Sequence, residues 1–143
     1  MEIADILRRR VIAVVGISRD PTKEAHAVPK YLREHGYRIV PVNPLADELL
    51  GERCYPSLAE IPPEVARSID IVQLFRPSDQ VMPHVEQAIA MRRRFGKPDV
   101  IWMQLGIANE EAARKARAAG IEVVMDRCMR TEHQMHAAKE LKA

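Results

Sequence analysis

Runs of β-branched, apolar residues alternate along this chain with amphipathic stretches, and nearly every run ends in a glycine or a short polar loop. Residues 10–15, RVIAVV, are apolar almost without interruption. A strand with one face in water alternates, so an unbroken run belongs to a strand covered on both faces, as in a parallel sheet. Gly16 ends it. Residues 22–35 carry Ala25, Val28, Leu32 and His35 at helical spacing, with Gly36 where a left-handed C-terminal cap is wanted. Residues 37–42 read as the second strand, with Pro41 inside it; a residue without an N–H leaves one side of that strand weakly paired and conflicts with a central position. Residues 69–75 and 99–105 make two further strands and residues 122–125 the last. Between them lie a helix over residues 78–94, closed by Gly96, and one capped by Asn109 that runs to Ala119 and stops at Gly120.

Turn signals fill residues 43–63, which predict a loop, a short edge strand near Cys54 and one or two helical turns from Ser57. Thr131 is expected to cap a C-terminal helix. Strands joined by helices through short connections require right-handed crossovers. The expected fold is therefore α/β: a three-layer, doubly wound, mainly parallel, Rossmann-like sheet with helices on both faces. A length of 143 residues suits one domain, 1–143.

In such sheets ligands bind beyond the carboxyl ends of the strands. The segments found there are GISRDPTK, NP, RPSD, QLGIAN and DRCMRT. In the first, Gly16 permits a tight turn, Ser18 and Thr22 offer hydroxyls, and Arg19 and Lys23 place cations beside the start of a helix, whose free N–H groups favour an anion. The same residues also read as ordinary helix caps with surface cations. After the second strand a nicotinamide-binding fold places an acidic residue for the ribose hydroxyls. This chain has Asn43 and Pro44, which disfavours NAD.

A formal charge of +2, from 22 basic and 20 acidic residues, carries no strong nucleic-acid footprint, and the runs Arg8–Arg10 and Arg92–Arg94 read as solvated faces. The start of the chain, with Ile3, Ile6 and Leu7 at helical spacing, is too short and too charged for a leader or a membrane span. The expected location is the cytoplasm, where Cys54 and Cys128 stay reduced.

Taken together, VVGISRDPTKEAHAVPKYLREHGYRIVPVNP, LGERCYPSLAEIP, VQLFRPSD and IWMQLGIANEEAARKARAAGIEVVMDRC resemble the small, single-domain CoA-binding proteins. These are similar to the CoA-binding domain of the succinyl-CoA synthetase alpha subunit. The resemblance covers nearly the whole chain. It implies coenzyme A as the ligand, phosphates held by Gly16, Ile17 and Ser18 with Arg19 and Lys23, the adenosine side lined by Asn43 and Pro44, and a wall made of Phe75, Arg76, Pro77 and Ser78. The synthetases also need a second domain with a phosphorylated histidine, for which this chain has no residues. The resemblance thus implies binding of CoA or an acyl-CoA without self-contained catalysis, with a protein partner or a homodimer open.

Two further residues stand at the ligand edge. Cys128, between Arg127 and Arg130, reads either as a thiol whose thiolate the guanidiniums favour or as a half-buried structural cysteine. Gln104 reads either as an amide reaching the cleft or as one satisfying backbone groups at the strand end. Trp102 and Met103 read as core. Cys128, His133 and His136 lack the paired spacing of a zinc site. Two alternatives to the CoA reading stay open: an NAD(P)-binding oxidoreductase-like protein, and an interaction module that has kept the fold and lost the ligand.

Overall fold

The computed structural model describes residues 1–142. A short helix, α1 (Ile3–Leu7), precedes the first strand, β1 (Val11–Val15), which is followed by α2 (Glu24–Glu34) and β2 (Arg38–Val42). A small antiparallel hairpin of β3 (Glu48–Leu49) and β4 (Glu52–Arg53) comes next, then a 3-10 turn at Leu58–Glu60 and the single-turn helix α3 (Pro63–Ala66). The rest of the chain adds β5 (Ile71–Leu74), α4 (Met82–Phe95), β6 (Val100–Met103), α5 (Glu110–Ala118), β7 (Glu122–Val124) and α6 (Met129–Lys142). Five strands form one parallel sheet in the order β2-β1-β5-β6-β7. The chain runs outward from β1 to β2, then returns to lay β5 on the other side of β1. The order therefore reverses between β1 and β5.

The apolar runs become strands because both of their faces are covered. Side chains alternate across a strand. Ile12 and Val14 of β1 face one layer, with Val28 and Leu32 of α2, Ile6 and Leu7 of α1 and Met129 of α6. Ala13 and Val15 face the other, with Val85, Ala88 and Ile89 of α4 and Ala112, Ala113 and Ala116 of α5. This is the expected three-layer, doubly wound arrangement.

Pro41 fits its place because β2 is an edge strand. Its carbonyl accepts from Tyr55 N at 3.0 Å, on the side away from β1, and a strand residue's N–H and C=O point the same way. The missing donor thus lies outside the ladder with β1. The predicted edge segment near Cys54 is this same contact, a parallel bridge between Val42 and Tyr55 beside the hairpin.

Two expectations are corrected. α6 starts at Met129, two residues before Thr131, because its first N–H is met by the distant side chain of Gln104 at 3.2 Å and needs no local cap. The arginine runs are only partly solvated. Arg8, Arg10, Arg93 and Arg94 are exposed, but Arg9 and Arg92 turn into a half-buried ionic cluster at the amino ends of β5 and β6. There Asp99 meets Lys97 at 2.7 Å, Arg9 at 3.1 Å and Arg92 at 3.6 Å, while Asp70 takes Lys97 at 3.0 Å and the Arg10 and Val11 N–H groups.

This cluster predicts acid sensitivity. Burial pushes the Asp99 carboxyl up, but hydrogen bonds from Lys97 and Arg9 and their charges outweigh it, and the net effect holds Asp99 below its ordinary value. A carboxyl lowered on folding contributes stability that is complete above its unfolded value of about 4 and is lost as pH falls through the folded one. Asp99→Ala is expected to cost about 1–2 kcal/mol at pH 7, allowing for the screening that partial exposure brings. Urea unfolding at pH 7 and pH 3 checks this: the difference from the parent protein should shrink in acid, and an equal loss at both values would exclude the ionic explanation.

Candidate ligand-binding site

The reversal point puts the loop after β1 directly against the loop after β5. Gly16 sits there with φ +83°, its N–H donating to Val42 O at 3.0 Å. A Cβ at this position would lie 2.7 Å from the Phe75 carbonyl oxygen and 3.0 Å from Arg76 Cδ, so only glycine lets the two loops approach this closely.

The rest of the first loop is held by its own backbone. Ile17 is wholly buried, so its side chain belongs to the core and its carbonyl to the loop. The Ser18 N–H donates to Ala25 O at 3.1 Å, and that carbonyl is available because its usual donor inside α2 would be the N–H of residue 29, a proline that has none. His26 Nδ1 donates to Ser18 O at 2.8 Å, and Ser18 Oγ accepts from Asp20 N at 3.0 Å. Thr22 is turned inward to Asp20, whose carboxylate accepts from both its hydroxyl and its N–H; these bonds hold Asp20 below the ordinary carboxylate range. Thr22 is therefore not a helix cap. α2 starts at Glu24 after Lys23, with no side-chain cap at all. Arg19 and Lys23 are exposed at this uncapped end, and neither side chain has a partner among the described residues.

Asn43 braces two loops. Its Nδ2 donates to Ile17 O at 2.8 Å and its Oδ1 accepts from Leu45 N at 2.7 Å. Both ends of the amide are occupied, and Pro44 and Leu45 stand exposed beside it. Ser78 likewise ties loops together: its hydroxyl accepts from Ala108 N and its carbonyl from Asn109 Nδ2, both at 3.0 Å.

Three cavities meet at Arg76, whose guanidinium donates to Gln80 Oε1 at 2.6 Å. The middle one is bounded by Gly16, Ser18, Arg19, Lys23 and Asn43. A second lies toward Pro44, Pro56, Ser57 and His84. The third, about 280 Å³, is bounded by Phe75, Pro77, Gln104, Leu105, Ile107 and Cys128, with Glu24 at its edge. Of the residues singled out from sequence for the ligand, all but Thr22 and Ser78 line one of the three.

Gln104 and Cys128 answer the alternatives posed for them in part. Gln104, 4% exposed, uses Oε1 to accept from Met129 N and from Nε2 of the wholly buried Gln73, which leaves its own Nε2 without a partner among the described residues. Cys128 is half-buried on the cavity wall, but the guanidiniums of its neighbours are engaged elsewhere: Arg127 with Glu132 at 3.0 Å and Arg130 with Glu24 at 2.7 Å.

Two participants escape a reading of the sequence. His84 comes from the exposed start of α4 to the cavity wall, where burial and then the charge of Arg76 hold its imidazole below the ordinary range. Pro29 shapes the loop from eleven residues away; a proline one and a half turns into a helical pattern is the only trace it leaves.

The family model described as a CoA-binding domain matches residues 10–134, which hold every candidate residue from Gly16 to Cys128. The chain belongs to the CoA-binding domain family. This CoA-binding domain is 40% identical over 133 residues to the uncharacterized protein YneT of Bacillus subtilis, covering 92% of each chain. It superposes on the solved structure of a hypothetical protein from Pyrococcus horikoshii with a TM-score of 0.83, at 43% identity over 93% of this chain and 88% of that one. It is also 44% identical over 64 residues to the alpha subunit of the ADP-forming acetate–CoA ligase II of Pyrococcus furiosus, of which it spans only 14%. Among the described residues no helix is long and apolar enough to cross a membrane, and no three His, Cys, Asp or Glu residues are grouped to hold a metal.

Proposed function

We propose that this chain binds coenzyme A or an acyl-CoA along the carboxyl ends of its strands, as a carrier, sensor or thiol-protecting partner without catalysis of its own. The observation that carries the reading is the groove: a middle where the cations Arg19, Lys23 and Arg76 outnumber Asp20, Arg19 and Lys23 having no partner among the described residues, open at both ends into differently lined cavities. CoA has the same plan, with phosphates between a purine nucleoside and a long, mostly uncharged arm. The phosphates would face Gly16 to Lys23 and the first N–H groups of α2, which have no acceptor within the helix. The purine would lie against Pro44 and Pro56, and the arm would pass Phe75 and Pro77 toward Gln104 and Cys128. A nicotinamide dinucleotide fits less well, since Asn43 replaces the ribose-binding acid and both ends of its amide are taken.

Titration calorimetry against CoA, dephospho-CoA and NAD tests this. CoA binding that weakens without the 3′-phosphate supports it; preference for NAD points to an oxidoreductase-like protein, and silence with all three to an interaction module. Lys23→Ala is expected to weaken CoA by about 1–3 kcal/mol with little loss of thermal stability, because its exposed side chain makes no hydrogen bond or ion pair among the described residues. Unchanged affinity would move the phosphates away from this loop.

A further inference from the structure

We propose that the cavity at the Cys128 end of the groove is a thioester pocket, in which the Gln104 amide nitrogen donates to the carbonyl of a short acyl group, so that the protein prefers acyl-CoA to free CoA. The inference rests on the CoA reading of the groove and names which form of the ligand it takes.

The orientation of the Gln104 amide is forced by its neighbours. Met129 opens α6, so its N–H has no acceptor within the helix and needs one from outside. Gln104 Oε1 supplies it at 3.2 Å and also accepts from Gln73 Nε2 at 3.3 Å. A flipped amide would set nitrogen against the Met129 N–H, a backbone donor that cannot itself turn over. The oxygen is therefore turned to the protein and the nitrogen away from it, on a side chain that is 4% exposed and lines the cavity.

The cavity wall beside that nitrogen is mostly apolar. Phe75, Pro77, Leu105 and Ile107 are apolar, and the two charged residues at the edge are already engaged, Glu24 with Arg130 and Arg76 with Gln80. A donor set in a mostly apolar wall favours a ligand that brings it an acceptor. A free thiol is a weak acceptor; the carbonyl oxygen of a thioester is a full one. The volume agrees: about 280 Å³ falls just below the range of cavities that take a whole drug-sized ligand, which suits the end of a long ligand bearing a few carbons. Gln104 is thus a specificity-determining residue that reads the oxygen separating acyl-CoA from CoA.

Calorimetry with CoA, acetyl-CoA and S-ethyl-CoA, which matches acetyl-CoA in size but lacks the carbonyl, tests the proposal. Acetyl-CoA is expected to bind about 3- to 10-fold more tightly than either of the others. Gln104→Glu, measured at pH 8, keeps an acceptor for Met129 and Gln73 while removing the donor, and should bring the acetyl-CoA to CoA affinity ratio to about 1 or below. Gln104→Met is a second variant with the same expectation. Equal binding of CoA and acetyl-CoA by the parent protein, or S-ethyl-CoA binding as tightly as acetyl-CoA, would overturn the proposal even if neither variant folds. CoA binding with no acyl preference removes the thioester pocket alone, whereas no binding of any of the three removes the groove reading with it.

Discussion

Gly16→Val is expected to lower CoA affinity by more than about 100-fold and to reduce the melting temperature as well. Two costs combine. A branched L-residue at φ +83° pays for a left-handed backbone, about 1–2 kcal/mol by itself. Its Cβ would also stand 2.7 Å from the Phe75 carbonyl, a backbone atom of the adjoining strand end that cannot swing aside. Relief requires the loops after β1 and β5 to separate, which carries Ser18, Arg19 and Lys23 away from Arg76 and opens the groove at its centre. Stability should fall by about 2 kcal/mol or more. Calorimetry and thermal melting check the two parts separately, and a variant that binds CoA as the parent does would show that the groove is not where the ligand lies.

The second large effect is expected far inside the molecule. Trp102 is wholly buried in β6, the largest of the fully enclosed side chains, and its indole N–H donates to Arg127 O at 2.8 Å. Trp102→Ala should cost about 3–5 kcal/mol through the cavity it leaves, against a total stability of about 5–15 kcal/mol for a domain of this kind. Trp102→Phe, which keeps most of the packing and loses the donor, should cost about 1–2 kcal/mol. Urea midpoints should fall in that order with slopes unchanged. Since Arg127 immediately precedes Cys128, even the milder variant is expected to loosen the wall of the acyl cavity. A loss below 1 kcal/mol for the alanine variant would mean that the interior refills the space and that the tryptophan is not a support of β6.

What was legible beforehand was whatever local chemistry decides. The unbroken run of residues 10–15, the cap at Asn109 and the left-handed glycines each carry their structural reason within a few residues, and strands and helices appear where these place them, most ends displaced by one or two residues; the helix expected from residue 78 starts at Met82, after a 3-10 turn over Ser78–Gln80. The cap is realised as drawn, Asn109 accepting from Ala112 N at 3.0 Å. The errors arise where a partner sits far along the chain. Arg9 looks solvated until Asp99, ninety residues later, is set beside it. Thr131 looks like a cap until Gln104 supplies the start of α6 from another strand. His84 gave no signal because only the docking of α4 brings it to Arg76.

The proline in β2 also bears on how copies of this protein behave in crowded solution. An exposed sheet edge is a template on which another chain can add a strand and begin an aggregate. Here the outward carbonyl of Pro41 is taken by Tyr55, the Asn43 N–H donates to Tyr55 O at 2.9 Å, and position 41 has no donor to offer a newcomer. The rung nearest the groove is closed to strand addition. A second chain cannot extend the sheet past β2 at this rung, whereas the strand ends beside it leave Leu45 and Leu105 exposed.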